Sequence, residues 1–191
     1  MKKDFEFYRE KLDNNVTVVF EKRKIPVIST ATSYRFGAQN EDAKEKGISH
    51  FIEHLVFKGT KKRDVRQIPW EIESKGGIIN AFTGEEIICF WNKLPSKYFS
   101  LGADITRDLA TNPLFEKQAM QRERKVILEE IKMYHDNPIT HVMEKIKENM
   151  YEKPFGISIA GTEETVKNLT SEKIKNTFNK IKSSNNIIFS V

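Results

Sequence analysis

Residues 78–94, IINAFTGEEIICFWNKL, read as two strands turning near Gly84. β-Branched and aromatic residues fill both arms, which suits a pleated, partly buried surface. This hairpin divides the chain. Ahead of it, FEFYREKL (5–12), VTVVFEKR (16–23) and VISTATSYRF (27–36) alternate as strands, with Asn14-Asn15 as a turn. A polar loop from Gly37 to Lys46 leads into a helix over about Gly47 to Lys58. VRQIPWEIESKGG (65–77) reads as a second helix stopped by Gly76-Gly77.

Behind the hairpin, helical periodicity takes over. SKYFSLGADITRDLA (96–110) follows Pro95, and KQAMQRERKVILEEIKMYHD (117–136) is the longest amphipathic run, ending before Pro138. ITHVMEKIKENMY (139–151) is a further helix, EKPFGISIAG (152–161) a loop, and short helices follow Gly161 and Thr170. NNIIFSV (185–191) is a last strand. Strands, then helices, then a final strand predict an α+β fold: a largely antiparallel sheet with helices packed on one face. The expected organisation is a single domain over 1–191, truncated or completed by a partner domain because the chain stops inside that strand.

Composition narrows the function. A hydrophobic share of 38% in 191 residues supports one core. The net charge of +5 comes from lysines that alternate with glutamates, as in EKIKENMYEK (144–153), so the excess reads as a solvated surface and not a nucleic-acid face. Cys89 is the only cysteine; it reads as a core thiol and excludes an intrachain disulfide. The N-terminus lacks a signal-peptide pattern, and no run approaches the roughly 18 residues of a membrane helix. The expected setting is cytoplasmic, with no membrane partner.

The stretch that carries chemistry is HFIEHLVFKGT (50–60). On a helix, Ile48, Phe51, Ile52 and Leu55 share one apolar stripe, while His50, Glu53, His54 and Phe57 share another. Histidines one turn apart can bring two ring nitrogens to one ion, but a zinc site usually takes a third protein ligand and leaves a position for water. In the long helix, Glu123, Val126, Ile127, Glu130, Ile131 and Tyr134 fall on one stripe predicted to be buried, whereas Glu129 falls off it with Arg122, Lys125 and Lys132. Buried carboxylates need a partner, and a divalent cation held with the imidazoles would partner Glu123 and Glu130. His135 and His141, outside this pattern, read as structural histidines.

His50-Phe51-Ile52-Glu53-His54 matches the inverted zinc motif His-x-x-Glu-His. The chain resembles the family of pitrilysin, insulin-degrading enzyme and the mitochondrial processing peptidase. FGAQNE, FKGT, GGIINAFTGEE, ERKVILEEI and PFGISIAGTEE resemble family segments in the family's order, over nearly the whole chain. The resemblance implies a zinc-dependent endopeptidase with His50, His54 and Glu130 as metal ligands, Glu53 as general base and Glu123 as a carboxylate behind the ligands. It implies that Asn80, Ala81 and Phe82 form an edge to which a peptide substrate adds as a β-strand. It also implies a second peptidase-like domain or subunit, in a homo- or hetero-dimer, carrying an arginine-tyrosine pair that no residue here matches. The alternative is a non-catalytic scaffold or assembly subunit derived from such a peptidase; the intact motif favours catalysis.

Overall fold

The alternating segments pair into one six-stranded sheet in a computed structural model that describes residues 6–191. The strands are β1 (Glu6–Lys11), β2 (Thr17–Lys22), β3 (Val27–Tyr34), β4 (Ile78–Thr83), β5 (Ile88–Pro95) and β6 (Ile187–Ser190). Their order is β1-β2-β6-β3-β5-β4. The β2–β6 pair is parallel and every other pair antiparallel. Seven α-helices are seen among the described residues: α1 (Ile48–Val56), α2 (Gln67–Glu73), α3 (Phe99–Thr111), α4 (Lys117–Asp136), α5 (Pro138–Met150), α6 (Glu163–Asn168) and α7 (Ser171–Ile181). None of them is long and apolar enough to cross a membrane.

Period-two register explains why the helices share one face. Thr30, Thr32 and Tyr34 of β3 stand opposite Asn92, Phe90 and Ile88 of β5, and all six are buried. From that face the Tyr34 hydroxyl donates to the Ala110 carbonyl of α3, and Asn92 Nδ2 donates to the Gly102 carbonyl at 2.8 Å. Thr83, opposite Ile88, reaches α1 on the same side. The core between sheet and helices includes Phe51, Ile52, Leu55, Phe90, Ile105 and Phe178. Cys89 is buried and unpaired, as a core thiol should be.

Local chemistry sets the breaks. Pro138 opens α5 at the position where a missing N–H is harmless, and Asn137 caps it by accepting from the Ile139 and Thr140 amides at 3.0 and 3.1 Å. Gly76, at φ 74°, ends α2, while a Cβ on Gly77 would collide with Ile72 and Leu94. Gly76 is therefore the helix stop, and Gly77 is packed closely between α2 and β5.

The connection from α1 to α2 is pinned by Arg63, whose side chain is only 10% exposed. Its Nε donates to both oxygens of Glu71, its Nη1 to Asp108 Oδ2 at 3.1 Å and its Nη2 to Asp104 Oδ2 at 2.8 Å. Asp108 is buried and also accepts from Thr60 and Asn112. Burial alone would raise the Asp104 pKa, but hydrogen bonds from Arg63, Arg107 and Lys62 outweigh it and hold this carboxyl well below the usual range. Arg63→Ala should lower stability by about 3–5 kcal/mol in urea denaturation, because it leaves Asp108 buried without its cation. A depressed folded-state pKa stabilises above the unfolded value, about 3.9 for aspartate, and that stabilisation is lost as pH falls below it. The gap between wild type and Arg63→Ala should therefore narrow on acidification below about pH 4.

Candidate metal centre

Helix α1 starts without a side-chain cap, because its N-cap is Gly47 at φ 92°. A Cβ there would meet the Ala160 carbonyl oxygen at 2.5 Å. The free amides of the first turn are satisfied from a distance: Glu41 accepts from Gly47 N at 3.0 Å and from Ser49 N at 2.7 Å. Lys46, fully buried, lies with Nζ 3.9 Å from Glu41 and donates to the Ala38 carbonyl at 2.5 Å. The helix is thus fixed in position and rotation before its polar face is considered.

With Ile48, Phe51, Ile52 and Leu55 buried, His50 and His54 turn toward α4. Their Nε2 atoms are 3.3 Å apart. Glu130 Oε2 lies 3.8 Å from His50 Nε2 and 3.4 Å from His54 Nε2. Among the described residues, these three form the one group of potential ligands whose donor atoms converge within 4.8 Å. Three atoms each about 2.0–2.1 Å from a tetrahedral zinc stand about 3.3–3.4 Å from one another, so the cluster is close to the spacing zinc requires.

Protons alone explain the cluster poorly. Two facing imidazole nitrogens can share at most one proton between them. Burial, then the neighbouring His54, lowers the His50 pKa to about 4, so His50 is a neutral lone-pair donor at neutral pH. His50 Nδ1 is buried with no hydrogen-bond partner among the described residues. Glu53, Glu123 and Glu130 bring three carboxylates to the region, and among the described residues Lys58 Nζ engages Glu123 Oε1, at 3.0 Å. A divalent cation fits both the donor set and the charge.

Around the cluster, other side chains set orientation. Glu123 Oε2 lies 3.3 Å from His54 Nδ1, the arrangement by which a carboxylate turns Nε2 toward a metal. The Tyr134 hydroxyl donates to Glu130 Oε1. Glu53 Oε2 accepts from Thr83 Oγ1 at 2.5 Å, and burial raises its pKa despite that bond. Glu129 is solvent-exposed and, among the described residues, pairs with Lys132. Of the stripe predicted for α4, Glu123 and Ile127 are buried, Glu130, Ile131 and Tyr134 are half-buried, and Val126 is 49% exposed.

Strand β4 is an edge of the sheet. Ala81 and Phe82 line a cavity of about 720 Å³ together with His50, Glu53, Glu130 and Tyr134, with Met143, Ile146 and Met150 of α5 on the far wall. Asn80 is exposed and outside this lining; its Oδ1 accepts from the Ala81 amide at 2.8 Å. His135 and His141 are not core residues. Their rings meet edge-to-face, 4.5 Å between centroids, at the α4–α5 corner, and the His135 side chain is 74% exposed. Thr83 and Lys58 lie in segments quoted above, but their partners, Glu53 and Glu123, are distant in sequence, and Glu41 acts on amides six and eight residues further on. Tyr134 was readable as the residue one turn after Glu130 on the same stripe.

With this geometry established, comparison with known proteins supplies the family. The model for the insulinase family, peptidase family M16, matches residues 17–163, and the chain belongs to that family. It is 32% identical over its full length to a protein of Rickettsia felis named an uncharacterized zinc protease. It is 34% identical, over 86% of its length, to the mitochondrial-processing peptidase subunit beta of Saccharomyces cerevisiae. The chain spans 46% and 36% of those two relatives, less than half of each. In fold it superposes on a Helicobacter pylori protease with a TM-score of 0.90 at 24% identity, covering 98% of this chain and 46% of that one. On pitrilysin the TM-score is 0.84 at 20% identity, with 99% and 21% covered.

Replacing Glu41 tests the anchoring of α1. Glu41→Ala strips two buried amides of their acceptor and leaves Lys46 buried without its carboxylate. A loss of about 3–5 kcal/mol in chemical denaturation is expected, with the helical signal near α1 lost first in hydrogen exchange.

Proposed function

We propose that this chain is the zinc-bearing half of a metalloendopeptidase that cleaves peptides or unfolded segments, completed by a second peptidase-like domain or subunit. The observation that carries this is the convergence of His50, His54 and Glu130 within 4.8 Å, in a family whose relatives include a named zinc protease. His50, His54 and Glu130 would hold the zinc, and Glu123 would orient His54. When bound, zinc supplies Lewis-acid polarisation of the scissile carbonyl and acidifies water.

The remaining work belongs to side chains and backbone of this chain. Glu53, one residue before His54, faces the same cavity without being one of the three converging ligands. Its carboxylate, held by Thr83, is placed to serve as the general base. It accepts the proton of the attacking water and passes it to the leaving amine, with Thr83 fixing the other side of the carboxylate. The free edge of β4 offers unpaired backbone groups, so a peptide laid along Asn80, Ala81 and Phe82 adds as a strand and is read through its backbone more than its side chains. A second half closing over the open cavity agrees with the yeast relative's name as a subunit and with the short span of this chain on its relatives.

Elemental analysis tests the metal. The wild type should carry about one zinc per chain, Glu130→Gln far less, and Glu129→Gln as much as wild type. Equal zinc in Glu130→Gln and wild type would remove Glu130 from the ligand set.

Glu53→Gln, made in the completed enzyme, should keep its zinc and lose about 10²–10⁴-fold in peptide hydrolysis. Parallel loss of zinc would make Glu53 a ligand instead. The isolated chain should bind zinc and turn over peptides weakly or not at all, and robust turnover by a purified monomer would contradict the need for a second half.

A further inference from the structure

Glu130 offers two oxygens, and the structure treats them differently. Oε2 faces both imidazoles, at 3.8 Å from His50 Nε2 and 3.4 Å from His54 Nε2. Oε1 accepts the hydroxyl of Tyr134, one turn further along α4. No other hydrogen bond to Glu130 from a described residue competes for Oε1, and the Tyr134 ring, half-buried, lines the cavity beside Glu53 and His50. The other supported ligand is His54, turned by Glu123, which is itself held by Lys58. Tyr134 is the corresponding support for the carboxylate.

We infer that Tyr134 is a positioning residue that keeps Glu130 a one-oxygen ligand, by occupying Oε1 and presenting Oε2 alone to the ion. The physical basis is competition. A carboxylate that gives both oxygens to a metal uses two coordination positions, whereas hydrolysis at a three-ligand site needs one position left open. A hydroxyl hydrogen bond to an ionised carboxylate is among the stronger kinds, so the phenol is suited to hold one oxygen back. Freed of Tyr134, Glu130 can swing to place both oxygens on the ion and fill the open position.

This rests on the zinc reading above, and the test separates the two. The wild-type chain and Tyr134→Phe are stripped of metal and titrated with Zn²⁺ alone for affinity. They are then loaded with Co²⁺ alone, whose visible absorption is stronger at four-coordinate than at five-coordinate sites. Tyr134→Phe should still bind zinc and give a weaker cobalt spectrum, the coordination number having risen. Phenylalanine keeps the ring, so the melting curves of the metal-free proteins should coincide. Tyr134→Gln puts an amide N–H one turn from Glu130, within the range of such pairs on a helix, and should restore the wild-type spectrum. Coincident cobalt spectra for wild type and Tyr134→Phe would overturn the inference, because a simple packing defect lowers affinity without changing the coordination number. A wild type that takes up neither metal would instead overturn the zinc reading itself.

Discussion

The arrangement of this domain depends on the burial of one stripe of one short helix. Helix α1 has nine residues, and six of them are buried. Apolar side chains of that size contribute about 1.5–3 kcal/mol each when fully buried, which far exceeds what nine residues of helix propensity could supply. Rotation of α1 by one residue, about 100°, would expose Phe51 and Leu55, so the rotation is fixed. Once it is fixed, His50 and His54 have nowhere to point except toward α4. The polar cluster is placed by the hydrophobic effect and not by its own interactions.

That placement would be unfavourable without a second set of contacts. Carboxylates and neutral imidazoles drawn into a half-buried pocket lose hydration, and the structure answers with fixed partners. Lys58 meets Glu123, Glu123 meets His54, Tyr134 meets Glu130, and Thr83 meets Glu53. His50 Nδ1 stands apart as a buried polar atom without such a partner among the described residues. The pattern is one of ligand atoms facing inward to a common point with supporting groups behind them. Such preorganisation removes from binding the work of turning each side chain into place.

The sheet gives the site its second dimension. Because β4 is the outermost strand, one row of its backbone groups is unpaired, and because Thr83 touches Glu53, that row runs past the polar cluster. Helix α5 forms the opposite wall with an apolar surface: Met143, Ile146 and Met150 are 62%, 46% and 70% exposed. An amphipathic helix ordinarily hides such a face. Here it borders the cavity instead, consistent with the proposal that an extended peptide and a second half of the enzyme complete this side.

Local patterns in the sequence were sufficient for much of this. Alternation over residues 27–36 and 78–94 determined the strands, Asn137-Pro138 determined the break between α4 and α5, and helical phase separated Glu130 from Glu129. These are properties of the chain within a few turns of itself, so the linear order records them. Tertiary structure alone decided that Val126 stays exposed on a stripe otherwise buried or half-buried, that His135 and His141 meet ring to ring at the α4–α5 corner, and that Thr83 and Lys58 reach Glu53 and Glu123 from distant parts of the chain. The physical reason is range. Periodicity says which face of an element is apolar, but which atoms meet across elements depends on how faces of different curvature and length are packed together, and no local pattern carries that.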